Sequence, residues 1–288
     1  MNDNYDFIVI GAGISGCTFA SILNKRFPEV SILLVEQGRR IGGRATTRKS
    51  RKNKFLEFDH GLPSISFSKH ISKDLLNLIS PLINSKKLLD ISKDILLINE
   101  FGDLNHSFTN FKIYRSLPFM ANFCEELINQ ANNPKKIKYL FKTFTKSLKH
   151  TNNSWEIQLS NGMLIKSNNL ILSSSLIAHP RFLEILKTNS LPLRDAFELG
   201  KDQIVDSLLS KISQLTYIKR QIHILYVSDS VLVEKFSHQY LQILFSNAIR
   251  EDLNFEKIIF QRQIDGSMII LLHSLFHTKI VKSNKDRI

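Results

Sequence analysis

The sequence contains few cysteines and no long apolar run. Of its 288 residues only Cys17 and Cys124 are cysteine, and they lack metal-ligand spacing. We interpret them as buried thiols in a reducing compartment. Apolar runs such as FIVI and MIILL are too short to span a membrane. The amino terminus has no basic segment before its apolar run, which predicts a first strand instead of a signal peptide, and a cytoplasmic protein.

Glycine and acidic residues are unevenly distributed. Seven of the eleven glycines lie in the first 61 residues, and none follows Gly266. No acidic residue lies between Glu36 and Glu57, whereas eight Lys or Arg residues lie between Arg39 and Lys54. The net charge of +13 favours anionic partners such as nucleotides or nucleic acid. A solvated basic loop without a partner is the alternative interpretation of this segment.

The first forty residues have the pattern of a strand, a helix and a second strand. Residues 6–10 and 30–36 are continuous apolar runs, as in buried parallel strands. Between them, apolar residues recur at helical spacing from Ile14 to Phe27. This is the length of a minimal β-α-β unit.

The remaining pattern predicts a mixture of helices and strands. In chain order it predicts a helix over 72–89, a hairpin over 94–108 that turns at Gly102-Asp103, a helix over 117–131, a short strand at IKYLF, and an antiparallel meander that ends in a strand at Leu170–Leu172. The sequence therefore predicts an α/β protein: a Rossmann-like cofactor domain with a β-meander, plus a mixed α+β substrate domain. We assign residues 1–66 and 114–178 to the first domain, and 67–113 and 179–288 to the second.

Gly11, Gly13 and Gly16 form the pattern G-x-G-x-x-G between the first strand and the helix, and Glu36 follows Gly16 by twenty residues. This context is what a dinucleotide fingerprint requires. The three glycines permit a tight turn, a close approach of pyrophosphate, and close helix packing. A carboxylate at the position of Glu36 favours an unphosphorylated ribose, as in FAD or NAD. A glycine-rich turn without a ligand is the alternative.

Two further features extend this predicted site. The helix amino terminus, at Ile14 and Ser15, presents free N–H groups to phosphate. Gly42 and Gly43 let the chain pass close to the cofactor, and Arg44 can form a two-pronged contact with phosphate oxygens.

One stretch of sequence resembles a known family. Glu36, Arg40, Gly42, Gly43 and Arg44 spell E-x-x-x-R-x-G-G-R, and FDHG follows at 58–61. This resembles the FAD-dependent amine-oxidase-like flavoproteins, and most closely their renalase-like branch. The resemblance implies FAD as cofactor, with Gly43 and Arg44 beside its pyrophosphate and Gly61 and Pro63 along its flavin ring.

The sequence departs from the family pattern at two places. Leu62, Pro63 and Ser64 stand where the family has Ala-Gln-Tyr, so the side chains facing the flavin differ. After LLHS the sequence continues for fourteen residues without a glycine. We therefore expect the family's late FAD-closing strand, Gly-Asp pair and helix to be absent.

Histidines are the remaining candidates for chemistry. His60 is interpreted as a turn residue that hydrogen-bonds its neighbours, with a catalytic role as the alternative. His273 and His277 have i, i+4 spacing, which places two histidines on one face of a helix. The pattern of their segment predicts a strand instead, so we expect no metal site. We name no catalytic residue, because in a flavoenzyme the cofactor carries out the redox step.

The sequence thus predicts an FAD-dependent oxidoreductase that takes hydride from an amine or a reduced nicotinamide and is reoxidised by oxygen or another acceptor. The electron donor would be a small molecule, and we expect no nucleic-acid partner, because no nucleic-acid motif accompanies the positive charge. The alternative is a shortened flavin- or nucleotide-binding protein without turnover.

Overall fold

The computed structural model describes residues 4–50, 56–68, 70–107, 111–151, 153–217, 220–228 and 230–275. The backbone forms two compact units. The first contains residues 1–44, 72–81 and 122–216, and the second contains residues 45–71, 82–121 and 217–288. These bounds differ from those of the predicted domains at 45–66, 72–81, 114–121 and 179–216. The assignment of one domain to the cofactor and one to the substrate stays a prediction.

The elements are numbered along the chain. The strands are β1 (Asn4–Ile10), β2 (Ile32–Val35), β3 (Arg48–Lys49), β4 (Glu57–Phe58), β5 (Ile65–Ser66), β6 (Leu88–Asp90), β7 (Ile95–Ile98), β8 (Leu104–His106), β9 (Ile113–Ser116), β10 (Ile137–Leu140), β11 (Thr145–Thr151), β12 (Ser154–Leu159), β13 (Leu164–Leu172), β14 (Ile222–Val227), β15 (Tyr240–Phe245), β16 (Phe255–Arg262) and β17 (Met268–Ser274). The α-helices are α1 (Ile14–Arg26), α2 (Lys73–Asn84), α3 (Met120–Asn129), α4 (Arg181–Leu186), α5 (Pro192–Asp195), α6 (Gln203–Ser213), α7 (Ser230–Glu234) and α8 (Asn247–Leu253).

The first unit is built around a six-stranded sheet in the order β10-β2-β1-β13-β12-β11. Strands β10, β2, β1 and β13 run parallel, and β12 pairs antiparallel with both β13 and β11. The predicted β-α-β unit and meander are therefore confirmed. Ile8 and Leu34 are fully buried, because strands with helices on their faces have no solvent side. The fold class is α/β, with a Rossmann-like parallel sheet and additional mixed sheets.

The second unit contains a six-stranded mixed sheet in the order β14-β17-β16-β15-β7-β8. Its strands pair antiparallel, except that β15 and β7 are parallel. Ile259 of β16 and Leu271 of β17 are directly opposite each other, and both belong to one buried apolar cluster with Phe58 of β4. This face of the sheet is the core of the unit, because alternate residues of each strand point to it.

Two local predictions have different outcomes. The hairpin of β7 and β8 turns at Gly102 as predicted, with a positive φ of 86° there. The helix predicted over 72–89 is shorter, because α2 ends at Asn84 and Leu88–Asp90 forms β6, which pairs with β9. Among the described helices, none combines the length and the apolar character needed to cross a membrane.

Ile8→Ala should lower the free energy of unfolding of the first unit by about 2 to 5 kcal/mol, because it leaves a cavity in a fully buried position. Trp155, the single tryptophan, packs against the same core, so its fluorescence during urea unfolding reports on this unit. Ile185→Ala is the matched control, since Ile185 is 45% exposed, and it should change the value by less than about 0.5 kcal/mol. Equal losses in the two variants would contradict this assignment of the core.

Candidate cofactor site and a buried polar network

The carboxyl ends of the parallel strands meet at one edge of the first sheet. There, the Gly11 N–H donates to the Val35 carbonyl at 2.8 Å, and the Ser173 N–H donates to the Ile10 carbonyl at 3.1 Å. A cleft at this edge is lined by residues that follow the strand ends, among them Gly11, Glu36, Gln37, Thr143, Phe144 and Ser174. Ligands of open α/β sheets bind at such an edge.

A side chain at each of the three fingerprint glycines would disturb the surrounding backbone to a different degree. Gly11 has φ of +105°, in the left-handed region. A Cβ on Gly16 would lie 2.1 Å from the Gly11 carbonyl oxygen, far inside van der Waals contact. A Cβ on Gly13 would meet only ordinary contacts, the nearest being the Gly43 Cα at 3.7 Å. Gly11 and Gly16 are therefore required by the fold, whereas the fold alone does not require Gly13 to be glycine.

The amino terminus of α1 has no side-chain cap. Gly13 is the extended N-cap residue, the first turn contains no acidic residue, and Cys17 N–H donates the first intrahelical bond, to the Gly13 carbonyl. The N–H groups of Ile14, Ser15 and Gly16 precede that bond. Uncapped amides at a helix amino terminus are suited to an anion.

Glu36 organises the loop around the fingerprint. It is only 9% exposed, and its Oε2 accepts from the Ala12 N–H at 2.9 Å while its Oε1 accepts from the Gly38 N–H at 2.7 Å. Each carboxylate oxygen has a further lone pair, so the predicted contact with a ribose hydroxyl is compatible with these bonds.

The Gly-Gly pair of the basic segment packs on the fingerprint itself. Gly42 forms a parallel bridge with Gly13, and its N–H donates to the Ala12 carbonyl at 2.8 Å. A Cβ on Gly43, which has φ of +54°, would lie 3.0 Å from the Gly13 Cα. The glycines thus permit one stretch of backbone to lie against another, and the close approach of a cofactor to this pair stays a prediction.

Arg44 follows this contact. It is exposed and has no hydrogen bond or ion pair among the residues that the structure describes. The first unit therefore brings together eight predicted site residues: Gly11, Gly13, Ile14, Ser15, Gly16, Glu36, Gly43 and Arg44. The other two, Gly61 and Pro63, belong to the second unit, where Pro63 is buried and Gly61 half-buried.

Cys17 and Cys124, distant in sequence, meet in the interior of the first unit as free buried thiols. A hydrogen bond between them, together with burial, raises the pKa of the Cys17 thiol well above its usual range. The Cys17 thiol therefore stays protonated at neutral pH, which excludes Cys17 as a thiolate nucleophile.

In the second unit, Asp59 is the centre of a buried polar network. Its Oδ1 accepts from Thr47 Oγ1 at 2.7 Å and from the Met120 N–H at 3.0 Å. Its Oδ2 accepts from Arg115 Nη2 at 3.0 Å, and its own N–H donates to Gln261 Oε1 at 3.1 Å. Asp59 thus joins β4 and β9, the first residue of α3, and β16.

The charge of Asp59 is balanced inside the protein. Burial raises the pKa of its carboxyl, and the Arg115 guanidinium opposes that shift. The guanidinium carbon lies 5.0 Å from the centre of the Tyr240 ring, in a cation–π arrangement. Burial also raises the pKa of Tyr240 well above its usual value, so the phenol stays neutral.

The His60 side chain is half-buried in the second unit. Its buried Nδ1 has no hydrogen-bond partner among the described residues, and its ring contacts Phe58 edge-on, with centroids 6.4 Å apart. The interpretation as a turn residue bonded to its neighbours is therefore wrong for this nitrogen. His273 lies in β17 as predicted, and His277 is outside the described residues.

Sequence reasoning missed several residues that hold these sites. Ser173 Oγ contacts the carbonyl oxygens of Ile10 and Gly11, both at 2.9 Å, and so anchors the turn. The sequence contained a signal for Ser173, because a polar residue directly after a buried parallel strand lies at the edge of the sheet where ligands bind. Thr47, Arg115 and Gln261 had no such signal, since their common partner Asp59 is remote in sequence.

Gly16→Ala and Gly13→Ala should differ in thermal stability, because the fold requires glycine at position 16 and does not require it at position 13. Gly16→Ala places a methyl group against the Gly11 carbonyl and should lower the thermal midpoint by several degrees or prevent soluble expression. Gly13→Ala should leave the midpoint of the ligand-free protein nearly unchanged, because its methyl group has room. Equal thermal midpoints for the two variants would contradict the close packing of α1 on the turn.

Arg115→Met should destabilise the second unit by about 3 to 5 kcal/mol at pH 7, because it leaves the Asp59 carboxylate buried and unpaired. The variant also loses the interaction that lowers the Asp59 pKa, so this pKa rises further above its unfolded value of about 3.9. An acid with a raised folded pKa loses stability as pH increases above the unfolded pKa. The loss should therefore be smaller at about pH 4 than at pH 7.

Urea unfolding followed by circular dichroism at both pH values tests this prediction. Arg39→Met is a control with the same change of charge, because Arg39 is exposed. A pH-independent loss in Arg115→Met would contradict the account of Asp59.

Comparisons with known proteins agree with this architecture. Residues 9–80 match the family model of the NAD(P)-binding Rossmann-like domain. No curated protein matches the chain.

A protein assigned as a protoporphyrinogen oxidase from Exiguobacterium sp. 255-15 is similar in structure, with a TM-score of 0.59 and 11% identity over 95% of this chain and 77% of that chain. Wild-type putrescine oxidase bound to putrescine has a TM-score of 0.60 and 9% identity, over 95% of this chain and 76% of that chain. At such identities the likeness shows the fold alone, which is the α/β fold of the flavoprotein amine oxidases, with a Rossmann-like parallel sheet and mixed sheets.

Proposed function

We propose that the protein is an FAD-dependent oxidoreductase of the amine-oxidase type, in the renalase-like branch that its sequence resembles. The observation that carries the proposal is the uncapped amino terminus of α1, which lies at the carboxyl edge of a parallel sheet beside an exposed arginine. Backbone amides and a guanidinium suit a diphosphate, and the absence of a side chain at Gly13 leaves room for it.

The residues present fit FAD in chemical terms. The amides of Ile14, Ser15 and Gly16 and the Arg44 side chain would hold the pyrophosphate, and Glu36 would accept from ribose hydroxyls. Glu36 disfavours a phosphorylated ribose, because a carboxylate repels a 2′-phosphate. Gly61 and Pro63 would border the flavin, as the resemblance implies.

Bound FAD would supply the redox chemistry, accepting hydride from an amine or a reduced nicotinamide and returning electrons to oxygen or another acceptor. The protein's own contribution is to bind and orient the cofactor and to shape the surroundings. The similarity in fold to a putrescine oxidase and a protoporphyrinogen oxidase supports an oxidase and does not choose the donor.

The first experiment is the visible spectrum of the purified protein, followed by identification of the released cofactor by mass. We expect a flavin spectrum and FAD, with anaerobic bleaching on addition of an amine or of NADH. A protein that neither retains FAD nor takes it up would overturn the proposal. Bound FAD that no donor reduces would replace it with the alternative of flavin binding without turnover.

Arg44→Met should weaken FAD retention by about ten- to a hundredfold, the effect of one charge-assisted hydrogen-bonding group. Arg39→Met is the matched control, since Arg39 is also exposed and its loss changes the net charge equally. The control should retain FAD within about twofold of the parent protein, and equal losses would indicate general electrostatics instead of a site. Equilibrium dialysis of FAD against both variants measures the difference.

A further inference from the structure

A group of basic side chains lies on the core face of the second unit's sheet. Lys257 of β16 and His273 of β17 are directly opposite each other in the antiparallel register. The next pair on the same face is Ile259 and Leu271, which belong to one apolar cluster with Phe58. Directly opposite side chains are neighbours, so the two basic groups are close together at the end of this apolar face.

Two other basic groups, Arg220 and His60, interact with this pair. Arg220 precedes β14, the strand beside β17, and the His60 ring contacts Phe58, which belongs to the same apolar cluster as Ile259 and Leu271. Arg220 and His60 both interact electrostatically with His273. Arg220 is paired with Glu256, but no carboxylate among the described residues pairs with Lys257 or His273. We call Arg220, Lys257, His273 and His60 the basic cluster.

Unpartnered polar atoms point to a ligand here. His273 is only 5% exposed, and its Nε2 is buried without a hydrogen-bond partner among the described residues. The buried Nδ1 of His60 has the same status. Buried polar atoms are normally paired, because an unpaired one costs about 1 to 3 kcal/mol. Two such atoms in one basic cluster indicate groups that await a partner, and each becomes a donor when its imidazole is protonated.

The electrostatic state of the cluster agrees with this interpretation. Burial lowers the pKa of Lys257, and Arg220 lowers it further. Burial lowers the pKa of His273 to about 4, with contributions from Lys257, Arg220 and His60. Burial also lowers the pKa of His60, Arg48 adds to this, and Asp59 opposes it. An anion would reverse these shifts, because it stabilises the protonated forms.

We propose that the basic cluster binds the carboxylate of a small ligand, with Lys257 and protonated His273 as its principal donors. A single negative charge suits the site better than phosphate. The donors are side chains on a sheet face, without the helix amino terminus or the group of backbone amides that usually receives a phosphate. A monoanion also costs less to bury than a dianion.

Under the proposed function this ligand would be the substrate, so the donor would be an acid-bearing molecule instead of a simple diamine. That identification rests on the proposed function, whereas carboxylate binding does not. A protein that retains no flavin still permits the binding measurement, and the two proposals can therefore fail separately.

The test is an NMR titration of the full chain labelled with carbon-13 in its histidine rings. Propionate is the probe, added at constant ionic strength, and the His273→Gln variant assigns the His273 signal. We expect a saturable shift of that signal and tighter binding as pH falls from about 7 to about 5. The sign follows because the bound carboxylate raises the His273 pKa, so the complex binds more protons than the free protein.

Lys257→Met should weaken propionate binding at least about tenfold while it preserves the apolar stem of the side chain. Lys211→Met, on the exposed part of α6, removes the same charge and should change the affinity by less than about twofold. A missing saturable shift, or equal affinities in the two variants, would overturn the proposal. Tighter binding of inorganic phosphate than of propionate would overturn the choice of a carboxylate.

Discussion

The close approach of helix α1 to the turn after β1 is the constraint on which the first unit depends. A Cβ on Gly16 would lie 2.1 Å from the Gly11 carbonyl oxygen, so the helix reaches its position only because this residue has no side chain. That position brings the uncapped amides of α1 to the carboxyl edge of the sheet. Glu36 and the Gly42–Gly43 backbone then close around the same turn with hydrogen bonds and direct contact.

The second unit depends on a buried charge instead of a buried turn. Asp59 accepts hydrogen bonds from Thr47, Arg115 and the first amide of α3, and so joins segments that are remote along the chain. Burial alone would favour the neutral acid, and Arg115 favours the carboxylate. Such a pair specifies one arrangement of its surroundings, because either partner left alone in the interior would be costly.

The surplus of positive charge has two physically different parts. Arg44 and Arg39 are exposed, where water and salt screen them and where an anion can approach at little cost. Lys257 and His273 lie on a core face, where burial lowers the pKa of both. Burial makes the charged forms of Lys257 and His273 unfavourable in the ligand-free protein. A bound carboxylate would offset this cost, which the exposed arginines do not have. Net charge by itself therefore predicts that the protein binds anions but does not indicate at which residues they bind.

The sequence by itself determined the β-α-β unit, the meander, the hairpin at Gly102 and the glycine fingerprint. Each depends on the spacing of nearby residues, since the periods of strands and helices and the dihedral freedom of glycine are local properties. Only the tertiary structure decided that Asp59 meets Arg115, 56 residues away, and Gln261, 202 residues away. It likewise decided that Lys257 faces His273. Such pairs depend on strand register, and a shift of one residue would turn every side chain of a strand to the opposite face, which no local pattern can specify.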